Sequence, residues 1–271
     1  MIMPAPDLSK LPLAGLLSLT GRRAVITGGG AGIGRAIADR FAQAGASILI
    51  ADLDAAAASQ AAAAIRAAHG VAASAVAVDM AAAGAAAEVV LGAERDLGGL
   101  EIWVNNAGIC EPLPFAQIDA ERWDRTHHLD LRGAFLGAQA AASHLIARGS
   151  GGVILNLASI SAFRGRAGHA HYVAAKHGVV GLTRSLATEL GPHGIRVVAI
   201  APTLVATEGQ QRNAAAAAAQ GSDLQAAISA SIPLGRIAVP DDVARVALFL
   251  VSDLAAFVTG STVRVDGGAS A

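Results

Sequence analysis

The stretch Ala24-Val25-Ile26-Thr27-Gly28-Gly29-Gly30-Ala31-Gly32-Ile33-Gly34 joins a short apolar run to a glycine-rich turn, and a helix-forming segment over 32–44 follows at once. An unbroken apolar run of this kind reads as a strand buried on both faces. Gly28, Gly32 and Gly34, spaced G-x3-G-x-G, let the backbone turn sharply and approach a pyrophosphate, whose charge would rest at the N-terminus of the next helix. On its own the loop fits a flexible turn equally well, because the spacing departs from G-x-G-x-x-G.

The same strand–turn–helix grammar recurs along the chain. Apolar runs occur at 24–26, 47–50, 75–78, 102–104, 153–155, 195–200 and 262–265, separated by helix-forming stretches at 32–44, 54–68, 82–97, 119–148, 170–190 and 240–252. Alternation of this kind predicts parallel βαβ units: an α/β, doubly wound parallel sheet of about seven strands in three layers, forming a single domain. Residues 1–18 read as an N-terminal extension and 19–271 as the catalytic domain. Within the latter, 203–235 reads as a helical lid, broken by Gly209, Gly221 and Pro233.

The second strand ends at Asp52, eighteen positions past Gly34, where a carboxylate would accept bonds from ribose hydroxyls and repel a 2′-phosphate. Ala31 supplies no cation to offset that repulsion, so NAD is favoured over NADP. Asp52 would also serve as a helix cap for 54–68. Asp79 and Met80, after the third strand, would lie beside an adenine.

Hydrophobic residues make up 54% of the 271 and charged residues 15%, which suits a large buried sheet and argues against disorder. Twenty Lys and Arg against 21 Asp and Glu leave a formal charge of −1, so nucleic acid and anionic membranes are not expected partners. The lone Cys110 cannot form an internal disulfide, no zinc-spaced ligand cluster appears and no metal is expected; a reducing cytoplasm fits best. The apolar stretch 11–19 has only Lys10 as a preceding charge and no small-x-small site after it, which argues against a signal peptide.

Asn105-Asn106-Ala107-Gly108 follows the fourth strand, Ser159 follows the fifth, and Tyr172-x3-Lys176 lies on a predicted helix with both side chains on one face. A phenol ionises near pH 10, but an adjacent ammonium and a positive nicotinamide ring would stabilise its anion. Tyr172 could then take or give an alcohol proton, while the Ser159 hydroxyl polarises a carbonyl oxygen. With Pro202 and Thr207, these motifs stand in the order found in the short-chain dehydrogenase/reductase family, in its branch of about 250 residues. From Leu19 to Gly268 the chain resembles that family. The resemblance implies a Rossmann-type fold, hydride transfer between nicotinamide and a secondary alcohol or ketone, and a homotetramer built from long-helix and last-strand contacts. It also implies a cofactor site formed by Gly28, Gly32, Ile33, Gly34, Asp52, Asp79, Met80, Asn106, Ala107, Gly108, Tyr172, Lys176, Pro202, Val205 and Thr207. Catalysis falls to Ser159, Tyr172 and Lys176, with Asp130 at the position of the proton relay.

Two positions depart from the family pattern. Asp130, seven past Trp123, stands where the family has an asparagine in a water-mediated proton relay; its charge beside Lys176 would alter the relay's ionisation. Thr203 follows Pro202 where Gly is common. Arg164, Arg166, His169 and His171 crowd the approach to Tyr172 and suit a polyol, sugar or hydroxy acid, with His169 the candidate substrate contact. Alternatives are a 3-oxoacyl thioester reductase, whose NADPH preference fits Asp52 poorly, and a non-catalytic NAD-binding regulator, against which Ser159, Tyr172 and Lys176 all argue.

Overall fold

A computed structural model describes residues 7–208 and 229–271. Seven parallel strands form one sheet: β1 (Arg23–Thr27), β2 (Ser47–Asp52), β3 (Ala73–Ala77), β4 (Ile102–Asn105), β5 (Gly152–Leu157), β6 (Ile195–Pro202) and β7 (Thr262–Val265), in the order β3-β2-β1-β4-β5-β6-β7. The helices are α1 (Leu13–Leu17), α2 (Gly32–Gln43), α3 (Ala55–His69), α4 (Ala85–Leu97), α5 (Ala120–His127), α6 (Ala134–Arg148), α7 (Ala170–Leu190) and α8 (Pro240–Val251).

Side-chain alternation along β1 divides the core. Ala24 and Ile26 pack with α2, α3 and α8 through Ile37, Phe41, Ile65 and Leu250. Val25 faces α4 and α6 through Val89, Ala138 and Leu145. Full burial of each such large side chain is worth roughly 1.5–3 kcal/mol. The alanines of α3 serve packing: Ala58, Ala61 and Ala62 are buried, and their small side chains let the helix lie close on the sheet.

β3 begins two residues before its expected start because Ala73 and Ser74, which carry little apolar signal, pair with Ile48 and Leu49. α4 starts only after Gly84, whose φ of 82° cannot continue a helix. The expected continuous helix over 119–148 is interrupted by a π-helical turn at His128–Gly133, between α5 and α6. Most of the expected lid, 209–228, lies outside the described residues; its flanks are anchored by a Val205–Ala238 bridge and the buried Ile232. Strand order reverses between β1 and β4, opening a crevice at their carboxyl ends, where a ligand can bind in such sheets.

Candidate active site

The glycine-rich turn lies over that crevice. Gly28 and Gly32 adopt φ of 61° and 56°, a region that side chains rarely tolerate. A Cβ on Gly34 would collide with the Gly28 carbonyl and the Asn106 amide. Asn106 braces the turn, its Nδ2 donating to the carbonyls of Thr27 (2.9 Å) and Gly28 (2.8 Å). Thr27 Oγ1 donates to Val104 O and accepts from the backbone N–H groups of Asn106 and Ala107, locking β1 to the end of β4. At the N-terminus of α2 the cap residue is Ala31, which makes no side-chain capping bond. The first-turn N–H groups therefore suit an anion.

Asp52 Oδ2 accepts from Gly30 N at 2.8 Å and Oδ1 from Asp54 N at 3.0 Å. Capping of α3 falls instead to Asp54, which accepts from Ala56 and Ala57, so Asp52 is free of that duty. Asp79 is exposed and accepts from Ala81 N, whereas the Met80 side chain is buried in the core, leaving its backbone as the part that can meet a ligand. Thr207 lies over the turn: a Cβ on Gly32 would come within 3.2 Å of its methyl group. Ile33, Gly108, Pro202, Val205 and Thr207 line the continuous cleft that runs from this turn to Tyr172.

At the other end of the cleft, α7 presents Tyr172 and Lys176 one turn apart, with Lys176 Nζ 5.5 Å from the tyrosine ring centre. Nζ donates to Leu157 O at 3.0 Å and pairs with Asp130 Oδ2 at 3.2 Å. Both side chains are almost fully buried. Asp130 reaches inward from the π-helical turn, an arrangement that often marks a functional position, and its Oδ1 accepts from Ile109 N at 2.8 Å. Ser159 ends β5's connection, accepts from Ser161 N, and sits close enough to Tyr172 to stabilise its anion.

Burial pushes the Tyr172 phenol above its ordinary value; Lys176 opposes this and Asp130 adds to it. The ammonium thus counts as expected, but without winning. Lys176 itself is held above its ordinary value because Asp130 and the phenol outweigh its burial. His169 is only 5% exposed, with Nδ1 on Ala167 O and its ring edge-on to Tyr172, and it is absent from the residues lining the cleft; burial holds its ionisation down.

A buried polar chain behind the site escaped the sequence reading. Trp103 Nε1 donates to Asn105 Oδ1, Asn105 Nδ2 donates to Ala134 O and Asn156 Oδ1, and Asn156 Nδ2 donates to Thr183 Oγ1. It ties β4, β5, α6 and α7 together. The available signal was Asn156 itself, a polar residue inside an apolar strand, which must find partners when buried.

The family model described as enoyl-(acyl carrier protein) reductase matches residues 28–270. D-threitol dehydrogenase of Mycolicibacterium smegmatis is 40% identical over 253 residues, covering 92% of this chain and 93% of that protein. L-rhamnose 1-dehydrogenase (NAD(P)(+)) of Azotobacter vinelandii is 38% identical over 256 residues, covering 92% and 97%. The crystal structure of a short-chain type dehydrogenase/reductase from Mycobacterium marinum superposes with a TM-score of 0.87 at 33% identity, covering 94% of this chain and 98% of that one. The fold, the glycine cradle and these likenesses together make the chain a member of the short-chain dehydrogenase/reductase family, an NAD(P)-dependent oxidoreductase acting on secondary alcohols or ketones.

Proposed function

We propose that the protein is an NAD-linked dehydrogenase of a polyhydroxylated substrate, a polyol, a sugar or a sugar-derived hydroxy acid, with Tyr172 as the proton-transfer residue. The observation carrying this reading is one cleft lined by Ile33 of the glycine turn, by Asn106 and by Tyr172, Ser159 and Lys176. The D-threitol and L-rhamnose enzymes act on substrates of this class. When bound, the dinucleotide supplies the hydride acceptor or donor. Its pyrophosphate would lie on Gly28, Gly32, Ile33 and Gly34, its adenosine near Asp52, Asp79 and Met80, and its nicotinamide half near Asn106, Ala107, Gly108, Tyr172, Lys176, Pro202, Val205 and Thr207.

Ser159 donates to the carbinol oxygen and orients it, and Tyr172 removes the hydroxyl proton as the carbon is oxidised. In the reverse direction Tyr172 returns that proton to the alkoxide oxygen. Lys176 favours the phenolate, and Asp130 both fixes Lys176 and offsets part of its charge. Asp52 is the basis for NAD over NADP, since its carboxylate stands beside the cradle on Gly30 N and would repel a 2′-phosphate.

The tetramer draws support from exposed Phe115, Trp123, Phe249 and Phe257, which a partner subunit would cover. Among the described residues no helix is long and apolar enough to cross a membrane, and a cytoplasmic setting suits the lone Cys110. The test is NADH formation from a panel of polyols and sugars, with NADP run in parallel. Turnover with NAD supports the reading, and preference for NADP overturns its cofactor part.

A further inference from the structure

Beyond Tyr172 the cleft widens, and its wall includes Arg164 and Arg166 together with Cys110 and Ser161. Arg164 spends one N–H on Ala269 O at 2.9 Å, out of the five that a guanidinium carries. Among the described residues the Arg166 guanidinium has no ion-pair or hydrogen-bond partner. Arg166 lines the same part of the cleft as Cys110, Ser159 and Tyr172. The one carboxylate among the described residues lining the cleft is Asp130, already matched by Lys176. Glu111, next to Cys110, is taken by Arg125 at 3.4 Å. Among the described residues, therefore, the wall carries positive charge with no counter-ion.

We infer that Arg166, assisted by Arg164, binds an anionic group of the substrate, so that within the polyhydroxylated class the enzyme selects a hydroxy acid over the neutral polyol. The inference rests on the dehydrogenase reading above. A secondary carbinol sits at Tyr172 and Ser159, and a carboxylate further along the same chain meets the guanidinium. A planar guanidinium suits this because its paired N–H groups match the two oxygens of a carboxylate. The reaction is balanced as before: the carbinol C–H hydride passes to the nicotinamide, the hydroxyl proton passes to Tyr172, and the carboxylate is unchanged.

The experiment compares matched pairs, D-gluconate with D-glucitol and D-threonate with D-threitol, by NADH formation in wild type, Arg166→Gln and Arg166→Lys. Wild type is expected to favour the acid of each pair. In Arg166→Gln the acid-to-polyol ratio of kcat/KM falls about 10- to 30-fold, the factor of one charge-assisted hydrogen bond, chiefly through KM. Arg166→Lys recovers part of it, and raising ionic strength raises KM for the acids more than for the polyols. Turnover of the polyols with equal or better kcat/KM than the acids, and a ratio unchanged in Arg166→Gln, overturns the inference and leaves the dehydrogenase reading standing. No NADH from any of the four overturns both.

Discussion

Asp130→Asn is expected to quicken alcohol oxidation near neutral pH. The carboxylate lies 3.2 Å from Lys176 Nζ, and Nζ lies 5.5 Å from the Tyr172 ring centre, so Asp130 and the ring are at most about 9 Å apart. At an effective dielectric of about 20, two like charges at that distance repel by about 2 kcal/mol, a factor of about 20 in population. Asparagine keeps the shape and an oxygen for Ile109 N while removing this repulsion. Oxidation needs Tyr172 as a base, and burial already holds its proton on, so activity climbs with pH and the phenolate is the scarce form. The variant should contain about 20-fold more phenolate at any pH below the phenol's ionisation. The assay is kcat/KM for oxidation as a function of pH, with NAD saturating. The rising limb is expected at lower pH in Asp130→Asn. Superimposable profiles refute the reasoning, and a limb moved to higher pH shows instead that Lys176 loses its proton once the carboxylate is gone.

Four further outcomes follow from the geometry. Gly34→Ala places a methyl group against the Gly28 carbonyl and the Asn106 amide, so NADH binding, followed by fluorescence, should be lost. Asp52→Ser removes the carboxylate from Gly30 N and should raise kcat/KM for NADP relative to NAD by about tenfold or more, the worth of one charged contact. Asn156→Leu strands Asn105 and Thr183 without their shared partner and should cost about 1–3 kcal/mol in chemical denaturation, with a lower melting temperature. Hydrogen bonding to Arg236 lowers Asp242 to about 2, so its stabilisation is complete above the ordinary carboxylate range and is lost as pH falls through about 2. Asp242→Asn should flatten that acid limb of the stability curve.

What the sequence made legible followed from strong local signals. A strand, a glycine turn and a helix in succession located the cradle, and Tyr172 and Lys176 shared a helical face because four residues make about one turn. The π-helical turn was not legible, since Leu129-Asp130-Leu131 continues a helical pattern and only packing selects the inward aspartate. The direction of Tyr172's ionisation depends on how deeply α7 is buried, which periodicity does not encode. His169 looked like a substrate contact by its distance from Tyr172 along the chain, but the turn at Ala167 draws its ring inward. The role of Asp52 was ambiguous until Asp54 emerged as the cap of α3.

The most direct test of the central claim is Tyr172→Phe, assayed for NADH formation and, separately, for NADH binding. Losing the hydroxyl alone should lower kcat by about 10²- to 10⁴-fold while NADH still binds. Turnover at the wild-type rate in that variant would contradict the assignment of Tyr172 as the proton-transfer residue.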